Sequence, residues 1–448
     1  MLKKRIWIFI LAVFSLSALL FIRQGLKQAG NDEGGSIEKK SRILILAPHP
    51  DDEAIACAGV IQQALAGGAE VKIAYLTNGD HNQVSFIVYE KRFTLRRSEF
   101  IHMGEVRMNE AKKAMKLLGL DESNLIFLGY PDFGTFTMLR NYWNSARAYK
   151  SLLTRISSVP YKTDFSFGSP YTGNNILRDL KNVILNYQPD EIFVSHPADV
   201  NVDHKSLYIY LQVALADLRN QIKLPKVYPY LVHCAGWPLP RHYHPELDLE
   251  PPQRFSDGQI NWFKVYLTDE QLKNKHRSIL SYRSQTESAA FYLLSFARKN
   301  ELFGDYTPVD LTQGKDTHPI SYSLDNGDLL ISIDKTKEIV KNISTLSYFF
   351  GYSYEKPFAE MPKIMIVTKY NRVKVFNGPR RISPSEIKVD LLKEILVLRV
   401  PLKLLGEPAF LFTSVKVYGS RSLAYFSGFR KIIIKGGSDG RAKISENK

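Results

Sequence analysis

The chain has 448 residues, 44% hydrophobic and 23% charged, with 60 Lys and Arg set against 45 Asp and Glu. That length and apolar content are ample for two folded domains, and the basic balance points to anionic envelope polymers or phospholipid headgroups. Nucleic acid is excluded as a partner, because the sequence holds no zinc finger, no aromatic RNA-binding signature and no concentrated basic stripe. Cys57 and Cys234 give no disulfide framework and no CxxC thiolate metal site, and both read as buried small residues.

At the N-terminus, Lys3-Lys4-Arg5 precedes the uncharged apolar run Ile6–Ile22. A basic flank before about 17 apolar residues reads as a signal peptide or signal anchor over residues 1–25. No small-x-small cleavage site follows Ile22, and no cysteine is there for lipid attachment. The reading is an uncleaved anchor with its basic end cytoplasmic, the remainder being exported and facing the periplasm or the cell exterior. Residues 26–41, with Gly30-Asn31-Asp32-Glu33-Gly34-Gly35-Ser36, read as a flexible linker.

The run Ile43–Leu46 predicts a buried parallel strand over Arg42–Leu46, followed by Ala47-Pro48-His49-Pro50-Asp51-Asp52-Glu53 and a helical pattern over Ala54–Ala66. A loop at the carboxyl end of a strand is where open α/β sheets place their sites. One imidazole and two adjacent carboxylates on a tight turn suit a divalent metal with a base beside it. The bland alternative is an ordinary strand-to-helix turn with Asp51 or Asp52 as N-cap. Gly67-Gly68 closes the helix, and strands at Glu70–Leu76, Asn124–Leu128 and Glu191–Val194 alternate with helices at Met108–Leu118 and Ile176–Tyr187. That alternation predicts a parallel, right-handed α/β sheet.

Residues 132–173 have little periodicity and read as a long insertion over the site mouth. Its Tyr142, Trp143, Tyr161 and Tyr171 either stack on sugar rings or pack the insertion's own core. The loop Ser195–His204 is the second His- and Asp-rich loop after a strand, so His49, Asp52 and His204 offer a metal two nitrogens and one oxygen. Tyr230-Leu231-Val232-His233 reads as a strand with a core histidine, and Asp269–Phe303 as helical. From Thr317 onward, short runs at Ser321–Ser323, Leu329–Ile333, Lys363–Val367, Ile387–Leu391 and Ile395–Val400 predict a β-sandwich. After Gly436 the tail is rich in Lys, Ser and Gly and reads as disordered.

Together these motifs resemble the LmbE-like or PIG-L superfamily of zinc-dependent N-acetylglucosamine de-N-acetylases. The resemblance runs from Arg42 to Gly304. It rests on the 47–53 turn and on Asp199-x-Asn201-x-Asp203-His204. It also takes in Thr77-Asn78-Gly79-Asp80, Arg107-x-x-Glu110 before Leu118-Gly119, and Leu128-Gly129-Tyr130-Pro131-Asp132. Tyr230–His233 with Trp237-Pro238, and Tyr282-Arg283-Ser284-Gln285, complete it.

The resemblance implies a Rossmann-like parallel-sheet catalytic domain over residues 42–310. It implies Zn2+ held by His49, Asp52 and His204, although iron or cobalt would accept the same ligands. Asp51 matches the general base, and Arg107, Asp132 and Asn201 are assigned to substrate contact. For Arg107 and Glu110 the bland alternative is a solvated helix pair at i,i+3. One departure stands out: many members carry a second histidine three residues before the ligand histidine, where this chain has Asn201. An amide can donate to a developing oxyanion but cannot protonate a leaving amine, so either His196, His233 or His81 supplies the proton, or the reaction is slower, or catalysis is lost.

The run Glu394–Gly406 is similar to part of carbohydrate-binding sandwiches, so the β-sandwich over residues 316–435, with the basic tail over 436–448, is either such a module or a purely structural one. The expected function is hydrolysis of the N-acetyl amide of an amino sugar in a cell-surface polysaccharide or glycoconjugate, releasing acetate and free amine. The alternatives are a deacylase of a glycolipid or small N-acyl compound, and a non-catalytic glycan-binding protein.

Overall fold

In the computed structural model, Ile43, Leu44, Ile45 and Leu46 are fully buried, as a strand covered on both faces requires. The structure describes residues 41–82, 87–89, 91, 96–256, 258–312, 320–334, 343–369, 372–392, 395–419 and 423–435. The anchor and linker expected over residues 1–41 (Ser41 aside) and the tail over 436–448 lie outside them. Among the described residues no helix is long and apolar enough to cross a membrane.

Strand β1 (Arg42–Ala47) lies centrally in a seven-stranded sheet with β2 (Glu70–Thr77), β3 (Leu125–Tyr130), β4 (Glu191–Ser195), β5 (Lys226–Tyr230), β6 (Ile260–Tyr266) and β7 (Asn300–Tyr306). The order is β3-β2-β1-β4-β5-β7-β6, with the first five strands parallel. β7 runs antiparallel between β5 and β6. The helical stretch expected as far as Phe303 therefore ends at Leu293, because Asn300–Tyr306 pairs along its whole length with Ile260–Tyr266. His233 lies three residues beyond the end of β5 and is not a strand residue.

The helices are α1 (Asp52–Ala66), α2 (Arg97–Leu117), α3 (Thr135–Asn141), α4 (Gly173–Tyr187), α5 (Val202–Leu218), α6 (Asp269–Leu280) and α7 (Arg283–Leu293). α2 begins eleven residues before the predicted Met108. Its start is fixed by Glu99, whose carboxylate accepts the Arg96 amide at 2.8 Å, a signal of the capping-box kind.

The C-terminal part is strand-rich. One sheet orders Lys388–Leu391, Ile395–Pro401, Asp328–Asp334 and Ile320–Asp325, and a second is built around Ser344–Tyr352, Lys363–Lys369 and Phe410–Tyr418. Leu329, Ile331, Ile333, Leu396, Leu398 and Val400 alternate inward from the first sheet. They meet Ile364, Ile366, Leu411, Val415 and Val417 of the second in one core. The strands at Ser344–Tyr352 and Phe410–Tyr418 were not predicted. Phe410–Tyr418 is buried on both faces for most of its length, which erases the alternation that marks a half-buried strand.

This region packs on the α/β part through specific contacts. The Tyr352 hydroxyl donates to Asp217 at 2.9 Å, and the Lys363 ammonium lies 5.0 Å from the Trp143 ring centre. Phe136 meets the rings of Tyr348, Phe350 and Phe429.

Candidate functional site

β1 and β4 are neighbours in register, Leu46 beside Val194, so the loops that leave their carboxyl ends meet above the sheet. The sheet order also turns here, since β2 flanks β1 on one side and β4 on the other. This is the crevice where doubly wound folds bind ligands. His49 and Asp52 arrive from the first loop and His204 from the first turn of α5. Nδ1 of His49 and Nε2 of His204 each lie 3.2 Å from Oδ2 of Asp52. Zinc bonds of about 2.0–2.1 Å at tetrahedral angles put neighbouring ligand atoms roughly 3.3 Å apart. Neither buried ring nitrogen of His204 has an aligned hydrogen bond, and the approach of Nε2 to Asp52 has the spacing of two ligands sharing one ion.

The other nitrogen of each ring faces a carboxylate. His204 Nδ1 is 3.0 Å from Asp199 Oδ2. Asp199 is itself anchored by the amides of Asn201 (2.8 Å), His233 (2.8 Å) and Val232 (3.2 Å). His49 Nε2 is 3.1 Å from Asp132 and 3.4 Å from Asp203. Asp203 accepts the amides of Phe133 at 2.6 Å and Thr135 at 3.1 Å, and the Thr135 hydroxyl. His49, Asp132 and Asp203 are thus close enough to hold an ion of their own. They share His49 with the first set, and they read better as the carboxylates that orient its ring, an arrangement common behind metal ligands.

Burial alone would lower the pKa of His204, but Asp199 and Asp52 override it and raise it to about 9. Burial would likewise raise Asp52, yet the two imidazoles hold it well below the usual carboxylate range. Asp51, Asp52, Asp132, Asp199 and Asp203 are gathered around two imidazoles and the Arg107 guanidinium. So much buried negative charge calls for a cation, and the donor set fits a divalent metal ion.

Asp51 occupies the N-cap position of α1, but its side chain makes no cap hydrogen bond. It lies 3.2 Å from Arg107 Nη2 instead. Burial pushes its carboxyl up to about 7 against the pull of that guanidinium. Arg107 is 3% exposed and donates to the carbonyls of Pro50 at 2.6 Å and Gly79 at 3.1 Å. A Cβ on Gly79 would lie 2.1 Å from Arg107 Nη1, so this approach requires glycine. Glu110 accepts the Ser284 amide at 2.8 Å and its hydroxyl at 2.6 Å. Arg107 and Glu110 are therefore not a solvated pair; Arg107 ties α2 to the loops at Pro50 and Gly79, and Glu110 ties it to the first turn of α7. Sequence reasoning gave no role to Glu53, which accepts the Tyr282 hydroxyl and, at 3.1 Å, the Asp51 amide. Asp199 and Asp203 stood in the motif without one.

A cavity of about 580 Å³ opens on His49, Asp51 and Asp52 and is also lined by Arg107, Asp132 and Asn201. His81 and His233 line it as well. The His233 ring sits 4.7 Å from that of His204, and burial lowers its pKa. Asn201 Oδ1 accepts the Asp203 amide at 2.8 Å as N-cap of α5. The structure does not bring His196 to the cavity. Its Nδ1 accepts the Ala198 amide at 3.0 Å, its ring stacks on Trp262, and burial lowers its pKa to about 3, which keeps it neutral.

The aromatic platform is also elsewhere. Trp143, Tyr161 and Tyr171 are buried, Tyr161 donating to Asp80 at 2.9 Å, and Tyr142 stacks edge-on against Tyr149. The insertion reaches the cavity through Phe133 and Leu152, 49% and 72% exposed.

Residues 44–214 match the family described as PIG-L, GlcNAc-PI de-N-acetylase. This segment belongs to that family. One curated relative is the 1D-myo-inositol 2-acetamido-2-deoxy-alpha-D-glucopyranoside deacetylase of Mycobacterium sp. (strain KMS). It is 29% identical over 119 residues, which are 27% of this chain and 37% of the relative, so the match spans little more than a third of that protein. Among solved structures, the N,N'-diacetylchitobiose deacetylase from Pyrococcus horikoshii has 18% identity and a TM-score of 0.34, covering 56% of this chain and 74% of its own. The 4-carboxy-2-hydroxymuconate hydratase GalB from Pseudomonas putida KT2440 has 16% identity and a TM-score of 0.35, covering 57% of this chain and 82% of its own. Function therefore has to be argued from the site.

Proposed function

We propose that the chain hydrolyses the N-acetyl amide of an amino sugar, releasing acetate and a free amine, with a divalent metal ion, zinc by preference, held by His49, Asp52 and His204. The observation that carries this is a base candidate, Asp51, opening on the same cavity as His49 and Asp52 of a His2Asp donor set in which each imidazole is backed by a carboxylate. When bound there, the ion polarises the amide carbonyl and makes water a stronger acid. Asp51, pushed by burial to about 7, accepts a proton from water near neutral pH, and Arg107 fixes where it points. Asp199 holds the ring of His204; Asp132 and Asp203 hold that of His49. His81 and His233 both line the cavity; His233, beside the His204 ring, is assigned the proton for the leaving amine, and Asn201 offers the cavity an amide. The PIG-L match over 44–214 and the sugar-deacetylase relative support the reading.

A cell-surface polysaccharide or glycoconjugate is the substrate on this reading. The chain would be exported and held at the membrane by residues 1–25, on the strength of Lys3-Lys4-Arg5 and the run Ile6–Ile22. The exposure of Phe133 and Leu152 at the cavity favours, as a second reading, a glycolipid or another N-acyl compound with an apolar part.

The test is acetate release from N-acetylated glycan fragments and from a lipid-linked amino sugar, with and without added zinc, beside Asp51→Asn. Zinc-dependent release that the substitution abolishes supports the reaction and the base. Stoichiometric metal without release from either substrate class would sink the reaction and leave a glycan-binding protein as the better account.

A further inference from the structure

The strand-rich C-terminal region touches the α/β part behind two of the three imidazole-orienting carboxylates, Asp199 and Asp203. The Phe429 amide donates to the Pro197 carbonyl at 3.0 Å. Gly428, at φ +67°, packs so tightly that a Cβ there would lie 2.9 Å from Cα and Cβ of Ala198. Pro197 and Ala198 belong to the turn that ends in Asp199, the carboxylate 3.0 Å from His204 Nδ1.

The second contact is on α3. Phe136 follows Thr135, whose amide and hydroxyl hold Asp203 beside His49. Its ring lies 6.0 Å from that of Phe429, which is itself buried against Phe350 at 5.6 Å. One residue, Phe429, is thus common to both contacts. A module that only tethers an enzyme to a polymer needs a linker and leaves the back of the site alone. Here the site's supporting turns are themselves packed by that region.

We propose that the loop 427–429 is a positioning element of the metal centre. It clamps the 196–199 turn directly and the start of α3 through Phe136, so that Asp199 and Asp203 keep the two imidazoles in ligand geometry. This rests on the reading of His49, Asp52 and His204 as metal ligands. Partners that orient metal ligands set affinity as well as rate, so the loop's influence is legible in metal binding itself.

The test uses the full chain and compares Phe429→Ala, Phe429→Leu, Gly428→Ala and Asp199→Asn. Dissociation constants for Zn2+ and Co2+ come from chelator competition, the visible cobalt spectrum reports ligand geometry, and the melting temperature of each metal-free variant is recorded. Phe429→Ala is expected to weaken binding about tenfold and to alter the cobalt spectrum, while Phe429→Leu, which keeps most of the packing, stays near the parent. Should Phe429→Ala not fold, Gly428→Ala carries the same expectation of weakened binding. Combining Gly428→Ala with Asp199→Asn should lose much less than the sum of the two, since both act through His204.

Unchanged dissociation constants with a lowered melting temperature, or fully additive losses in the double variant, would overturn the proposal and leave the loop a packing element. A parent chain that binds neither metal would overturn the ligand reading, and the proposal with it.

Discussion

His204 is held between two carboxylates, with Nδ1 3.0 Å from Asp199 and Nε2 3.2 Å from Asp52. Only one of them can share a metal with the ring; the other fixes which nitrogen is free to bind. Asp52→Ala is expected to abolish stoichiometric metal binding, whereas Asp199→Asn should weaken it by roughly 10–100-fold and leave the site able to load at high metal. Metal content after dialysis, followed by titration, separates the two. Binding by Asp199→Asn as tight as the parent's would remove the orienting role.

Asp51→Asn is expected to fold and to bind metal like the parent, and to lose about 10²–10⁴-fold in turnover, the range a general base supplies. Acetate release measured beside metal content checks it. Lost metal in this variant would make Asp51 a ligand instead of the base.

His233→Ala is expected to lower turnover by about 100-fold and His196→Ala to leave the rate per folded molecule unchanged, because of these two His233 alone lines the cavity. The cost of His196→Ala should appear as a lower melting temperature through its lost stacking on Trp262. The reverse pattern would reassign the proton donor.

Arg107 serves the carbonyls of Pro50 and Gly79 and the carboxylate of Asp51 at once, a geometry that a lysine's point charge does not reproduce. Arg107→Ala leaves Asp51 buried without its partner and should cost about 3–5 kcal/mol in urea unfolding. Adding Asp51→Asn should recover part of that loss, since the stranded charge is then gone. A double variant no more stable than Arg107→Ala would place the cost in the two carbonyls.

Burial pushes Asp164 up to about 7, although its bond from Asn78 at 2.8 Å pulls the other way, and its Oδ1 is buried without a partner. Unfolded, the same carboxyl titrates near about 3.9. Between those values the native state binds the extra proton, so this group's penalty is absent below about pH 4 and grows until about pH 7. Asp164→Asn keeps an acceptor for Asn78. It should raise stability by roughly 2–4 kcal/mol at pH 8 and change it little at pH 4. Equal urea midpoints for parent and variant at pH 8 would mean that the carboxyl ionises freely.

The ligand turn was legible because Ile43–Leu46 reads as a doubly covered strand and the histidine and carboxylates follow it at once. The meeting of His49, Asp52 and His204 shares that legibility, since loops after β1 and β4 converge in any sheet wound this way. The orienting carboxylates do not. Whether Asp132, Asp199 or Asp203 faces a ring nitrogen depends on how separate loops pack, and spacing along the chain carries no trace of it. Arg107 and Glu110, three apart on α2, were open to a reading as a solvated pair as well as to substrate contact for Arg107, yet they reach Asp51 before α1 and Ser284 in the first turn of α7. In the C-terminal region the half-buried strands announced themselves by alternation, while Phe410–Tyr418, covered on both faces, did not.

Asp51 sits at φ 126° and ψ −30°, backbone that a residue with a side chain adopts at a cost of about 1–3 kcal/mol. The Arg107 bond to Pro50 and the Glu53 bond to the Asp51 amide hold it there. Glycine would relax that backbone and remove the carboxylate in one step. Asp51→Gly should therefore melt later than Asp51→Asn, which deprives Arg107 of its carboxylate in the same way but keeps the strain, and turn over as poorly. At this position durability and reactivity are alternatives, because the carboxylate that reacts is carried on backbone that glycine alone would hold without cost.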